Sequence, residues 1–363
     1  MAGDSDDRMS ALVLHAVGDV RLDDVARPGP REGTVLVRIG FCGVCGSDLP
    51  RIFTKGTYNF PTICGHEFAG TVEELGPGVE RGRPGVADVA VGDRVAVFPL
   101  LWCGACPACE QGRYVQCHDY DYLGSRCDGG FAEYVVAPVE NLVPVPDNVS
   151  LEAAAMTEPA SVALHAVKRG GGTSPGESVA IFGIGPIGLM VAQWVRTMGA
   201  SRIFLFDIDT PKLEMARGLG FEDVFDSREA SPVETVASLT GGDGAHLSFD
   251  GAGVPSTLLA ALESTRRGGR VVLLGNPSGD VTVPATLISQ LMRREVSIHG
   301  TWNSDYSAHG NDDDWRTVLR AMSQGVLDLE PLITHRVSLG GAIEMLETMR
   351  DGASFYSKVL VQP

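Results

Sequence analysis

The eight cysteines of this 363-residue chain fall into patterns that suit metal chemistry better than disulfides. In LLWCGACPACEQGRYVQC, Cys103, Cys106, Cys109 and Cys117 make a C-x2-C-x2-C-x7-C run in a loop containing Gly and Pro. Four thiolates at that density close a tetrahedral shell around Zn²⁺ with no open position, the form of a structural zinc site. An iron–sulfur cluster is the rival reading, because cysteine runs of similar density bind those too. A second pair, Cys42 and Cys45 in FCGVCGSDLPRIF, could be a redox couple, half of a zinc knuckle, or a place where one thiol matters. A redox couple calls for a helix opening at the second thiol in a thioredoxin-like pattern, and the sequence has neither. Downstream, PTICGHEFAG sets His66 beside Glu67, and MTEPASVALHAV puts Glu158 in an apolar setting. Thiolate, imidazole and carboxylate from separate segments are the donors of an open zinc site, with three protein ligands and one position for water or substrate. Taken singly, His66 also reads as a hydrogen-bonded core histidine and Glu158 as a helix-start charge.

A different chemistry is written in VAIFGIGPIGLM, where Gly183, Gly185 and Gly188 bracket Pro186 and Ile187 in a G-x-G-x-x-G spacing. The first glycine turns the chain off a strand, the second admits a pyrophosphate close to the backbone, and the third lets helix and strand pack tightly. The helix N-terminus adds free N–H groups and the positive end of a dipole. By itself the spacing is also that of an ordinary strand-to-helix turn. Its context is more specific, since a second strand ends at Asp207, 24 positions after Gly183, where an acid accepts hydrogen bonds from a ribose and repels the extra phosphate of NADP. NAD is therefore the expected cofactor. Asp209 competes for this role, and Lys212 is placed along the adenosine ribose; each also reads as a solvated cap of the next helix.

Two kinds of element must hold these groups. From about residue 10 to 145, short alternating runs such as TVLVRIG, AVGDRVAVFPL and FAEYVVAP lie between Gly/Pro turn signals, the pattern of an irregular, mostly antiparallel β region. From about 175, buried-looking runs (ESVAIFG, RIFLFDID, HLSFDGAG, RVVLLGN) alternate with the helical stretches PIGLMVAQWVRTMG, PKLEMARGLG and STLLAALESTR. This alternation predicts a doubly wound parallel sheet. After about 298 the β-type text returns and ends in SKVLVQP.

The apolar share of 44% is ample for two domains, and no run approaches the roughly 18 apolar residues of a membrane span. The opening MAGDSDDRMS lacks the basic and apolar regions of a secretory signal, so residues 1–8 read as a loose tail, with Met9 a second candidate start. A cytoplasmic location with reduced thiols is expected. A net charge of −17 with no basic stripe argues against nucleic-acid and anionic-membrane partners.

With GVCGSD at 43–48, GHEFAG at 65–70, the four cysteines, EPASVALHA at 158–166 and GIGPIG at 183–188, the chain resembles the zinc-dependent medium-chain dehydrogenases, the alcohol and sorbitol dehydrogenase superfamily. Its CGSDLPRIF, YDYLGSRCDGGFAEY and HGTWNS blocks are similar to those of galactitol-1-phosphate 5-dehydrogenases. The resemblance implies an α/β protein with a GroES-like β catalytic domain at 9–160 and 299–363, a zinc lobe at 100–120, and a Rossmann NAD-binding domain at 161–298. It implies two Zn²⁺ per chain, NAD, and a homodimer or homotetramer through the Rossmann sheet edge. Cys45 and His66 correspond to catalytic zinc ligands, and Glu67 and Glu158 to the two acids that reach the metal directly or through its water. Cys42 becomes a packed small residue. Ser47 corresponds to the hydroxyl that relays the substrate proton, Asp48 orients the site, and Gly275 joins the cofactor-binding set. Pro50 stands where many relatives carry a histidine at the outer end of the proton relay, so the route beyond Ser47 differs.

The implied reaction takes a secondary alcohol of a polyol or polyol phosphate to a ketone by hydride transfer to the nicotinamide. Tyr120, Arg126, Trp302 and Asn303 are candidates to line the substrate pocket, and Arg51, Arg126 or Lys358 to meet a phosphate, each also readable as a surface charge. Alternatives are an amino-polyol or cyclitol substrate, oxidation of L-threonine at C3, and a non-catalytic NAD-binding protein. A zinc-free quinone reductase of the same fold would lack both cysteine signatures.

Overall fold

The structure, a computed structural model, describes residues 7–79, 88–310 and 312–363. The strands are β1 (Arg8–Ala16), β2 (Asp19–Ala26), β3 (Thr34–Gly43), β4 (Thr62–Ile63), β5 (Glu67–Leu75), β6 (Arg94–Val97), β7 (Leu100–Leu101), β8 (Asp121–Tyr122), β9 (Tyr134–Pro138), β10 (Leu142–Pro144), β11 (Ser178–Phe182), β12 (Arg202–Asp207), β13 (Val224–Asp226), β14 (Ala245–Asp250), β15 (Thr265–Leu273), β16 (Ser297–Gly300), β17 (Ile333–Ser338) and β18 (Lys358–Gln362). The helices are α1 (Asp48–Pro50), α2 (Pro107–Glu110), α3 (Leu151–Ala155), α4 (Thr157–Arg169), α5 (Pro186–Thr197), α6 (Thr210–Gly218), α7 (Pro232–Leu239), α8 (Pro255–Ser264), α9 (Ala285–Arg294), α10 (Asp314–Ser323) and α11 (Leu339–Asp351). Of the tail expected at 1–8, residues 1–6 lie outside the described residues, and Arg8 is already in β1, opposite Ala26.

The chain divides into two compact units, Met1–Pro159 with Asp305–Pro363, and Ala160–Ser304. In the first, a seven-stranded sheet runs β10-β6-β5-β3-β18-β17 with β9 also on β3, beside a β2-β1-β4 sheet and a β7-β8 ribbon. Alternation along β1 and β3 turns Leu12, Leu14, Val35 and Val37 inward, where they meet Phe68, Phe131, Val359 and Leu346 in one apolar core. Two pairings position the loop that leaves β3. Gly43 sits opposite Glu67 in the β3–β5 ladder, and opposite Leu360 in the β18–β3 ladder, so β18 is an interior strand beside the cysteine loop.

In the second unit β13-β12-β11-β14-β15-β16 form a wholly parallel sheet. Its central strand β11 is buried at every position, as expected for a sheet covered on both faces. Phe182 stacks on Phe206 at 5.1 Å and Phe206 on Phe225 at 5.4 Å, tying the first three strands together. β16 pairs with β15, which carries this unit on to residue 304. No helix among the described residues is long and apolar enough to cross a membrane.

Candidate active site

The loop leaving β3 carries Cys45, and its shape is fixed by Asp48. The Asp48 carboxylate is fully buried and accepts from the Cys45 N–H (3.0 Å) and from Arg51 Nη1 (2.7 Å), while the Asp48 N–H donates to the Cys45 carbonyl (3.0 Å). Its Oδ1 also faces His66 Nδ1 at 3.4 Å. One acid thus sets both the thiol loop and the imidazole, the role of a carboxylate behind a metal-binding histidine. Ligand atoms of Cys45, His66 and Glu67 lie within 4.8 Å of one another. Ser47 is exposed, and its Oγ donates to Cys45 Sγ at 3.3 Å. Cys42, three residues earlier, is fully buried, and burial holds its thiol well above the ordinary value, as for a packed small residue.

Glu67 and Glu158 part company. Glu67 is in the cluster, 1% exposed, and its carboxylate is gripped by Lys358 Nζ, which also donates to the Val44 carbonyl (3.2 Å). Lys358 is itself 3% exposed. The pair fits only because residue 43 is glycine: a Cβ there would stand 2.2 Å from Glu67 Oε2 and 3.0 Å from Lys358 Cε. Glu158 lies outside the 4.8 Å set and accepts a hydrogen bond from the Tyr122 hydroxyl (3.2 Å), while the Tyr122 ring meets His66 edge-on at 5.8 Å. Burial pushes the Glu158 carboxyl up to about 7; His66 draws it down and Glu67 adds to the rise. Burial disfavours a charged His66 too, yet Asp48 and Cys45 hold its basicity well above the histidine range. Surroundings that raise the basicity of the one imidazole among these donors favour positive charge there, as a divalent cation requires, so the residues fit a zinc ion.

The cysteine lobe gives a second fit. Cys106 Sγ lies 3.5 Å from Cys109 Sγ and 3.9 Å from Cys117 Sγ, and Cys103 Sγ lies 4.0 Å from Cys109 Sγ. A tetrahedron with Zn–S of about 2.3 Å has edges of about 3.8 Å, whereas an iron–sulfur cluster spreads its sulfurs over the width of the cluster. Backbone N–H groups of His118 and Cys109 hold the Cys106 thiol down at about 6, and Cys103 N–H points at Cys117 Sγ (3.3 Å). The lobe is anchored by aromatic packing: Trp102 stacks on Tyr114 (4.3 Å), and Phe98 on Tyr306 (4.1 Å).

In the parallel-sheet unit Gly183 has φ +95°, and a Cβ on it would strike Ala252 at 2.6 Å; one on Gly188 would lie 2.3 Å from the Gly183 carbonyl. Gly185 opens α5, with Pro186 and Ile187 in the first turn, and open space lies where its Cβ would be. Asp207 accepts from the Ile184 N–H (2.9 Å) and from the N–H groups of Ile208 (2.8 Å) and Asp209 (3.0 Å). Lys212 Nζ lies 3.5 Å from Asp209 and 4.0 Å from Asp207. Gly275 packs so closely on Gly253 that a Cβ would sit 2.2 Å from its nitrogen.

Sequence reasoning missed Tyr122, although it stands within the YDYLGS block, and it offered Lys358 as a phosphate contact or a surface charge rather than as the partner of Glu67. The clue to Lys358 was a lysine opening the apolar run KVLV.

A family model for the alcohol dehydrogenase GroES-like domain matches residues 31–147, and one for zinc-binding dehydrogenases matches 186–324. Galactitol 1-phosphate 5-dehydrogenase of Escherichia coli K12 is 35% identical, covering 98% of this chain and 100% of that protein. Sorbitol dehydrogenase of Bacillus subtilis is 32% identical, covering 98% and 97%. The crystal structure of galactitol-1-phosphate dehydrogenase from Escherichia coli superposes with a TM-score of 0.89 over 98% of this chain and 100% of that one. A short chain alcohol dehydrogenase from Escherichia coli CFT073, complexed with NADH, does so at 0.87 with 27% identity, covering 98% and 100%. The chain belongs to the zinc-binding dehydrogenase family, built from a GroES-like domain and a Rossmann-like domain.

Proposed function

We propose that the protein oxidises a secondary hydroxyl of a polyol or polyol phosphate to a ketone, with zinc at Cys45, His66 and Glu67 and with NAD on the glycine loop. The observation that carries this reading is the convergence of those three donors within 4.8 Å, with Glu158 held beside them by Tyr122. Full-length similarity to galactitol-phosphate and sorbitol dehydrogenases supports the substrate class. Bound zinc supplies the Lewis acidity that makes a substrate hydroxyl acidic near neutral pH, and bound NAD accepts the hydride.

The chain's own part is to hold donors and to move one proton. Asp48 fixes the Cys45 loop and the His66 ring, and Lys358 fixes the Glu67 carboxylate. Ser47 Oγ, next to Cys45 Sγ, receives the substrate proton. Because Ser47 is exposed, it passes that proton to water, and no imidazole is needed where the sequence has Pro50. Asp207, placed at the end of β12 and bonded to the glycine loop, favours NAD over NADP. The four cysteines hold a second, structural zinc. Eight free cysteines suit a reducing cytoplasm. Exposed Ile288 and Met292 on α9 and Ile298 on the edge strand β16 support a homo-oligomer through that edge.

The test is NADH formation over a panel of polyols, polyol phosphates, amino-polyols and L-threonine, with NADP in parallel. Wild type is expected to turn over polyol-type substrates with NAD, and Cys45→Ser to lose nearly all of it. Turnover of L-threonine alone, or full activity in Cys45→Ser, would refute the reading.

A further inference from the structure

Three cations in the GroES-like unit could meet an anionic group on the substrate, and the structure removes two of them. Arg51 is bound to the buried Asp48 carboxylate at 2.7 Å, and Lys358 is committed to Glu67. Arg126 differs from both. Its guanidinium carbon lies 4.2 Å from the Tyr58 ring centroid and 4.4 Å from that of Tyr120, so it is held over two aromatic rings. Among the described residues it forms no ion pair, and none of its side-chain N–H groups has a protein acceptor. Other half-buried guanidiniums without an acid, such as Arg94 and Arg294, spend their N–H groups on backbone carbonyls, which Arg126 does not.

Its position is tied to the reaction centre. The Arg126 backbone N–H donates to the Tyr122 carbonyl (2.9 Å), and Tyr122 is the residue whose hydroxyl binds Glu158 and whose ring meets His66. Tyr120 stands 6.5 Å from Tyr122, so the aromatic run His66, Tyr122, Tyr120 leads from the metal donors to the guanidinium. Asn59 fixes the far side of the turn through the Arg126 carbonyl (2.9 Å). A guanidinium held over aromatic rings is weakly hydrated and preorganised, and its edge of paired N–H donors has no protein acceptor to compete with a ligand. That edge matches two oxygens of a phosphate monoester.

We propose that Arg126, clamped by Tyr58 and Tyr120, recognises the phosphate of the substrate, which makes the natural substrate a polyol phosphate. The assignment rests on the reading of Cys45, His66 and Glu67 as the reaction centre. The test compares kcat/KM of the zinc-loaded full chain for galactitol 1-phosphate and sorbitol 6-phosphate with that for galactitol, sorbitol and L-idonate, the last carrying a carboxylate. Wild type is expected to prefer the phosphates. In Arg126→Met the phosphate-to-free-polyol ratio falls about 10- to 100-fold, chiefly through KM, as for loss of a charge-assisted hydrogen-bond pair. Arg126→Lys keeps the charge without the fork and falls between. Inorganic phosphate inhibits wild type competitively and Arg126→Met more weakly. A ratio unchanged in Arg126→Met and Arg126→Lys, or a wild-type preference for free polyols or L-idonate, overturns the assignment and leaves the dehydrogenase reading intact. Absence of turnover on every compound sinks both.

Discussion

Replacing Lys358 with methionine asks whether the site depends on its buried counter-charge. The variant keeps most of the side-chain volume and removes the ammonium from a place where Lys358 is 3% and Glu67 1% exposed. Glu67 cannot turn to water, because β5 holds it against Gly43, where even a methyl group has no room. A buried pair broken on one side costs about 3–5 kcal/mol, since the remaining charge loses its partner without regaining its hydration. For a domain of this size that lowers Tm by roughly 10 °C in metal-stripped protein. In the zinc-loaded protein Glu67 has a second positive neighbour, so the loss shrinks and the gap between stripped and loaded Tm widens relative to wild type. The double variant Glu67→Gln with Lys358→Met, which leaves neither charge of this pair behind, should recover most of the stripped-state stability. Differential scanning calorimetry with chelator and with zinc reads all of these. A stripped Lys358→Met protein melting within about 2 °C of wild type would show that the ammonium is not what holds Glu67, and the reasoning would fail.

Three further outcomes are expected. Cys106→Ser should lower the zinc content by one ion per chain and change tryptophan fluorescence, because Trp102 is stacked on Tyr114 beside Cys103; unchanged metal content would remove the structural zinc. Asp207→Ser takes the acceptor from the Ile184 N–H and the negative charge from the end of β12, so the NADP-to-NAD ratio of kcat/KM should rise about 10-fold or more, and a constant ratio would refute the role given to Asp207. Light scattering should find a dimer or tetramer that Ile298→Glu on β16 weakens, whereas a wild-type monomer would exclude the sheet-edge interface.

What could be read from the sequence depended on how far apart the partners are. Gly183, Gly185 and Gly188, like Cys103, Cys106, Cys109 and Cys117, each lie within one short segment, so their spacing in the chain largely sets their geometry in space. The parallel sheet was equally legible, because a strand buried on both faces, such as β11, leaves an uninterrupted apolar run. Cys45, His66 and Glu158 come from three segments: their types together suggested an open zinc site, His66 and Glu158 taken singly kept plainer readings, and resemblance to a family gave each its role. The pairing of Lys358 with Glu67 and the part played by Tyr122 escaped both routes. Lys358 reaches the Val44 carbonyl across 314 positions, a contact that exists only because β18 pairs with β3 in one register. A slip of one residue would turn that lysine to the other face of the sheet, and nothing local in SKVLVQP fixes the register. Arg126 shows the converse: it was one of three cations with equal claims until the structure spent Arg51 on Asp48 and Lys358 on Glu67. Charges in a sequence can be counted, but which of them remain free for a ligand is decided by the pairings that the fold makes first.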